Sequence, residues 1–306
     1  MTNTQSGETI AAIDLGSHSS RLLVERDGET LVRLVELTKL SEGMKETGQI
    51  QPAAFERVRV ALVEYRRVMD EHGVVRARVA ATAAARDAKN GADFVAMVTE
   101  VTGYEPEIFS GDAEAEMTFL GATAELDPAD GPFLVIDIGG RSTEFAYGHE
   151  TFEAGISLEM GSVRLSEEYL ESDPPRPEEL SACVTVAGAW LEDVDRELPQ
   201  AHSAKTVIGV AGTISTAVAV EIGLPEYDRD EIHGFELTKE ACEDVFRTLA
   251  TENRDDRAHN PGLPAGRVDT IVGGMSILVK IMRHFDLDHL VASESDILDG
   301  LVRSIR

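Results

Sequence analysis

The chain has 306 residues, 42% of them hydrophobic, and carries 56 acidic against 28 basic residues for a formal net charge of −28. That length supports about two domains with substantial cores, the absence of any apolar run of 18 residues argues against a membrane span, and the acidic balance opposes general nucleic-acid binding, which needs a basic footprint. The first eight residues lack the basic and apolar regions of a signal peptide, and Cys183 and Cys242 are too few and too separated for a disulfide framework or a zinc site, so buried thiols in a cytoplasmic protein are expected.

In chain order, residues 9–14 read as a strand, 21–25 as its hairpin partner, and Asp27-Gly28 as a tight turn into a third strand over 30–40. A polar loop over 41–49 precedes a helix opened by Pro52, whose apolar face is Val58, Leu62, Tyr65 and Met69. A strand over 74–80, a short helix over 82–90 carrying Arg86, a helix over 91–102 and a short strand over 105–109 follow. Ser110-Gly111-Asp112 opens the next helix, which runs to about residue 123, and Leu126 to Gly131 is the expected linker between halves. The second half repeats the grammar. A strand over 133–137, a glycine turn, a second strand, and a third over 155–160 lead into helices over 162–169 and 177–198, with a proline-rich loop at 172–177. A strand over 206–210 enters Ala211-Gly212-Thr213 and a helix; helices over 238–250 and 268–285, a strand over 287–292 and a helix over 296–306 complete the chain. Strands mixed with helices in two similar halves predict an α/β fold of mixed sheets covered by helices, with domains over 1–128 and 129–306.

The chemistry concentrates in Val135-Ile136-Asp137-Ile138-Gly139-Gly140-Arg141-Ser142-Thr143-Glu144-Phe145. Glycines without a Cβ let backbone N–H groups close on an anion. Ser142 and Thr143 add hydroxyls, and Asp137 and Glu144 flank the turn with carboxylates, where a hard cation could bridge to phosphate oxygens. Ala12-Ile13-Asp14-Leu15-Gly16-Ser17-His18-Ser19-Ser20-Arg21-Leu22 repeats this stretch at a constant offset of 123 residues: Asp14 matches Asp137, Gly16 matches Gly139, Ser19 matches Ser142 and Ser20 matches Thr143. A fixed offset with matching chemistry points to duplication.

These two stretches resemble the phosphate hairpins of the actin, sugar-kinase and heat-shock-chaperone ATPase fold, and within it the exopolyphosphatase/guanosine pentaphosphate phosphohydrolase (Ppx/GppA) family. Residues 12–22 resemble that family's I-D-x-G-S-N-S-x-R-L, residues 81–90 its A-T-S-A-x-R-x-A-x-N, residues 110–115 its S-G-x-E-E-A, and residues 137–144 its D-I-G-G-G-S-T-E. Gly161 to Leu165, Gly209 to Thr213, Ile232-His233-Gly234, Pro261-Gly262-Leu263 and Arg267-Val268-Asp269 follow in the family's order, so the resemblance spans nearly the whole chain. It is similar to the short, two-domain form that lacks a C-terminal HD-type domain. Three positions depart from the pattern: His18 stands in place of Asn, Arg141 in place of the third Gly, and Ala113 in place of the first Glu.

The resemblance implies two actin-like, ribonuclease H-like domains with the active site in the cleft between them, and hydrolysis of a terminal phosphoanhydride by a water that Glu114 orients and deprotonates. Asp137 and Glu144, with Asp14 as a lesser candidate that also reads as a turn aspartate, would hold Mg²⁺ or another divalent cation. Gly139, Gly140, Ser142 and Thr143, with Ser17 and Ser19 opposite, would supply donors to phosphate, and Arg86 would clamp a phosphate. Arg21 would do likewise or pair with Asp14; His18 reads equally as a phosphate donor or a solvent-facing turn residue; Arg141 could donate to phosphate or narrow the turn; Gly212 and Thr213 would line the cleft.

Inorganic polyphosphate is the leading substrate, with guanosine pentaphosphate as the alternative; a kinase or a non-catalytic polyphosphate or nucleotide sensor are the readings from other classes. Dimers are common among such two-domain enzymes, so a homodimer stays open. Only six of the basic residues are lysine, and the acids are scattered rather than gathered in a tail. That pattern resembles the surface of proteins from salt-in extreme halophiles, where the Debye length shrinks to about 3 Å at molar salt and screens self-repulsion. The same screening would let a polyanion approach so acidic a protein.

Overall fold

The structure is a computed structural model and describes residues 7–305. The chain divides into two compact units, one made of the residues up to Ser110 together with those from Ile297 onward, the other of Gly111–Asp296.

The first unit opens with an antiparallel meander of β1 (Thr9–Leu15), β2 (Ser20–Arg26) and β3 (Glu29–Glu36). The β2–β3 turn is Asp27-Gly28, both with positive φ (51° and 88°), the backbone that an Asp-Gly hairpin turn takes up. A short helix α1 (Met44–Thr47), the long α2 (Pro52–Glu71), β4 (Arg76–Ala81), α3 (Ala83–Asp87), α4 (Gly91–Thr102) and β5 (Glu107–Ile108) follow. The sheet order is β3-β2-β1-β4-β5, with β4 parallel to β1 and β5 parallel to β4. The predicted face of α2 is the buried one: Val58, Leu62, Tyr65 and Met69 join Ile13, Leu22 and Val24 in one core cluster.

The second unit begins with α5 (Gly111–Ala122), then repeats the meander as β6 (Phe133–Ile138), β7 (Thr143–Gly148) and β8 (Phe152–Leu158). The helices α6 (Ser162–Tyr169) and α7 (Pro177–Glu197), β9 (Thr206–Val210), α8 (Ala211–Glu221), α9 (Arg229–Ile232), β10 (Glu236–Thr238), α10 (Lys239–Thr251), α11 (Arg254–Arg257), α12 (Ile271–His284) and β11 (His289–Ala292) complete it. Its sheet order is β10-β11-β9-β6-β7-β8. Taken from β8 inward, this repeats the 3-2-1-4-5 order of the first sheet, with β10 added antiparallel at the edge. Each unit is therefore a mixed α/β layer structure of the expected ribonuclease H-like order, and the duplication inferred from the 123-residue offset is a duplication of topology. The last helix, α13 (Ile297–Ile305), packs on β1, β2 and β4 of the first unit.

The division thus falls at 110/111 and 296/297 rather than at the expected 128/129. The physical reason lies in the apolar faces. Ala115, Phe119 and Ala122 of α5 share a buried cluster with Phe133, Val135 and Ala146 of β6 and β7, so the helix belongs with the strands that follow it. The expected linker contains only the short 3-10 turn Pro128–Asp130 and joins two elements of one unit. Other differences are local. The third strands span 29–36 and 152–158 instead of 30–40 and 155–160, and β10 was not expected at all. A three-residue edge strand is too short to show a period of two.

Both cysteines are free and buried, as expected. Burial pushes the Cys183 thiol up to about 11 and the Cys242 thiol up to about 12, so the reactive thiolate is suppressed at neutral pH. Folded protein at pH 7.5–8 (about a unit below the free thiol's value) is expected to resist a thiol-specific disulfide reagent for hours and to titrate both thiols promptly once denatured; prompt native labelling would contradict this burial. Among the described residues, no helix is long and apolar enough to cross a membrane.

Candidate active site

The two hairpins share register as well as sequence. Asp14 pairs across the strands with Arg21, and Asp137 pairs with Glu144, again 123 residues further on. The turns close with the same bond: Gly16 N–H donates to Ser19 O at 2.9 Å and Gly139 N–H to Ser142 O at 3.0 Å. A Cβ on either glycine would stand 3.0 Å from that carbonyl oxygen, closer than real Cβ contacts normally come. Equal backbones carry different chemistry. In the first hairpin the cross-strand pair is an ion pair, with Arg21 Nη2 and Nε donating to Asp14 Oδ2 at 2.7 and 2.9 Å. In the second it is two carboxylates on one face. Two carboxylates opposite each other on a sheet are an all-oxygen donor pair that could hold a divalent cation, which the ion-paired first hairpin does not offer.

A third strand extends the row. Ser157 on β8 lies opposite Glu144, and its hydroxyl donates to Glu144 Oε1 at 2.7 Å. Successive residues of a strand face opposite ways. Leu134, Ile136, Ile138 and Phe145 therefore fill the cluster under α7 and α12, while Val135 and Ala146 pack with α5 on the other face. Asp137, Glu144 and Ser157 belong to the α5 face. Helix α5 lies along it. Gly111 is set against Ser157 so closely that a Cβ there would stand 2.3 Å from the serine Cβ, and Ala115 and Phe119 follow against Gly155 and Gly148. The first turn of α5 thus starts beside the Asp137–Glu144–Ser157 row, and Glu114, in that turn, is buried to 9% exposure. Acidic residues at this end are also favoured by the helix dipole. Ser157 joins this row through its bond to Glu144, and the motif reading did not single it out. Its only sequence signal is its register against Glu144, which depends on strand pairing.

Helix α6 holds the second turn from behind. Ser162 N–H donates to Gly139 O at 2.9 Å, and Val163 and Arg164 N–H groups donate to Gly140 O at 2.8 and 3.1 Å. The approach is close enough that a Cβ on Gly161 would meet the Gly140 carbonyl carbon and the Arg141 nitrogen at 2.4 Å. Backbone cannot yield as a flexible side chain can. Gly161→Ala is expected to cost about 1–3 kcal/mol of stability, the range for overpacking, and to depress the expected hydrolytic activity by displacing the turn. Unchanged thermal denaturation with full activity would contradict that packing.

Several expected phosphate contacts have other work. Thr143 is fully buried and its hydroxyl donates to Met160 O at 2.6 Å, so it fastens β7 instead of offering a donor. Thr213, 1% exposed, has its hydroxyl 3.3 Å from Ile138 O, and Gly212 is covered by the Arg267 guanidinium, 1.8 Å from where its Cβ would stand. Both departures come from packing against residues distant in sequence. Ala211, just before them, sits at φ 70°, a left-handed backbone that costs an alanine about 1 kcal/mol. His18 is buried at 7% exposure, which removes the solvent-facing reading, and its carbonyl accepts from Lys39 N–H at 2.9 Å. Ser17 and Ser142 are buried at the two turns, while Ser19, Gly139 and Arg141 are half-buried. Arg86 is exposed, held by a bond from Nη1 to Phe109 O at 3.0 Å.

The profile of the Ppx/GppA phosphatase family matches residues 23–305, more than nine-tenths of the chain. The chain belongs to the Ppx/GppA phosphatase family. Exopolyphosphatase 2 of Mycobacterium tuberculosis is 36% identical over 313 aligned positions, covering 97% of this chain and 98% of the relative. Among solved structures, an exopolyphosphatase-like protein superposes with a TM-score of 0.93 at 32% identity, covering 97% of this chain and 98% of the other. The Ppx/GppA enzyme of Aquifex aeolicus superposes at 0.82 with 30% identity over 97% of this chain and 99% of that one. Membership makes this Ppx/GppA protein a hydrolase, and the resemblance drawn from its motifs is a family relationship.

Proposed function

We propose that this Ppx/GppA phosphatase is an exopolyphosphatase that releases orthophosphate from the end of inorganic polyphosphate. The observation that carries the reading is the pairing of Asp137 with Glu144 on the sheet face along which α5 delivers Glu114. A phosphoanhydride chain offers no carbon framework to grip, so the enzyme works by positioning and charge stabilisation. The Gly139–Ser142 turn gives backbone N–H and hydroxyl donors to phosphate. Glu114 takes the proton of the attacking water. The water oxygen bonds to the terminal phosphorus, the bond from that phosphorus to the bridging oxygen breaks, and the shortened chain leaves with that oxygen.

The donor set of the second hairpin is all oxygen and suits Mg²⁺. Bound there by Asp137 and Glu144, a divalent cation would neutralise charge on the phosphate oxygens. Ser157 orients Glu144 by its hydrogen bond. The acidic surface fits work in concentrated salt, where the repulsion of a polyanion is screened within about 3 Å.

The test is phosphate release from short and long polyphosphate, guanosine pentaphosphate and ATP, with Mg²⁺, over a KCl series reaching molar concentrations. Polyphosphate turnover that rises with KCl is expected. Turnover of guanosine pentaphosphate alone would replace the substrate assignment, and folded protein inert toward every substrate would replace catalysis with sensing.

A further inference from the structure

A second group of ligand-type side chains meets on the opposite face of the second unit's sheet. Asp195 is in the last turn of α7, His202 in the 3-10 turn Pro199–Ser203, and His284 is the final residue of α12. His202 Nε2 lies 2.7 Å from Asp195 Oδ1, and His284 Nε2 lies 2.9 Å from the same oxygen. The three ligand atoms all fall within 4.8 Å of one another, and among the described residues this is the one group of three or more His, Cys, Asp and Glu side chains so arranged. Neither histidine figured in the motif reading, because 82 residues separate them in sequence.

The arrangement is held in place rather than draped on the surface. The Phe285 ring lies 4.8 Å from the His202 ring and 5.1 Å from the His284 ring, and it packs in turn 6.0 Å from Phe145 of β7. Beside His202, the Ser203 hydroxyl is 3.0 Å from the Tyr147 hydroxyl, which ties the 3-10 turn to the same strand. The rings' orientations are therefore set by packing, and both turn Nε2 toward one carboxylate. Asp195 and His202 are 42% and 46% exposed at their side chains, so an ion has open access.

We propose that Asp195, His202 and His284 form a binding site for a transition-metal dication of the zinc class, with water completing its coordination. Two imidazole nitrogens and one carboxylate oxygen are the ligand types that such ions take in tetrahedral sites. Metal–ligand bonds of about 2.0–2.1 Å set tetrahedral ligand atoms about 3.3 Å apart, so each histidine needs to swing away from Asp195 by about half an ångström. The ion would take the place of the hydrogens now shared between the rings and the carboxylate. Mg²⁺ does not fit here, since it demands oxygen ligands and sheds water reluctantly. This site is thus chemically distinct from the Asp137–Glu144 pair, which faces the other way. What it would do is join the ends of α7 and α12 to the 3-10 turn, a staple over the core that backs β7.

The experiment uses untagged full-length protein, stripped with a chelator and dialysed, with Mg²⁺ present throughout. Zn²⁺ is titrated calorimetrically, and Co²⁺ by the visible absorption of its tetrahedral complexes. One equivalent per chain is expected, with a tetrahedral Co²⁺ spectrum and a rise in Tm on adding Zn²⁺. The double variant His202→Ala/His284→Ala should lose the spectrum and the Tm response, and Asp195→Asn should weaken Zn²⁺ binding at least about ten-fold. Circular dichroism confirms that each variant is folded. No saturable uptake by the wild type, or equal uptake by the double variant, would reduce the cluster to a hydrogen-bonded His–Asp–His group. Phosphatase activity with Mg²⁺ is a separate reading and does not enter this test.

Discussion

Replacing Glu114 by glutamine is expected to lower kcat for phosphate release by about 10²–10⁴-fold, the range for loss of a general base, while KM stays within a few-fold. Glutamine keeps the shape of the side chain at a position that is 9% exposed. The substitution therefore separates proton transfer from packing. A carboxylate held in the first turn of a helix that is fixed by Gly111, Ala115 and Phe119 against β8 and β7 has little freedom to move. Rate measurements on the variant at saturating polyphosphate decide the matter. Turnover within ten-fold of wild type would remove Glu114 from proton transfer; a large rise in KM at unchanged kcat would make it a binding residue.

The second large effect concerns the facing carboxylates. Asp137→Asn is expected to raise the Mg²⁺ concentration needed for half-maximal activity by at least about ten-fold. Asparagine keeps the shape of the side chain, so the metal-free protein is expected to stay folded, as circular dichroism would show. A residue that only supports the fold would lose stability as well as function. Glu144→Gln should act in the same direction on Mg²⁺, and the Ser157 hydroxyl can still donate to the new amide oxygen. An unchanged Mg²⁺ requirement in folded Asp137→Asn protein would overturn the assignment of this pair.

The contrast between the two hairpins shows what was legible and what was not. Their common offset, their glycine turns and their flanking acids could be read directly, because a turn is a local object set by a few adjacent residues. That Asp14 lies beside Arg21 while Asp137 lies beside Glu144 depends on strand register, which pattern alone suggested without deciding. Thr143 illustrates the limit in the other direction. Its residue type suits phosphate, yet the Met160 carbonyl, 17 residues away, accepts its hydroxyl. Cys183 and Cys242, read as buried thiols from their isolation in the chain, are buried.

Sequence by itself determined the α/β class, the duplication, the two glycine turns and the family to which the chain belongs. Each of these rests on short-range periodicity or on a motif of adjacent residues. Tertiary structure alone decided that α5 joins the second unit, that α13 returns to the first, that Ser157 braces Glu144, and that Asp195, His202 and His284 converge. Those outcomes follow from which apolar faces bury against each other. Ala115, Phe119 and Ala122 could have covered any sheet with a matching groove, and the glycines at 148 and 155 open that groove on β7 and β8. Close packing among residues far apart in the chain is a property of the assembled layers, and no window of sequence contains it.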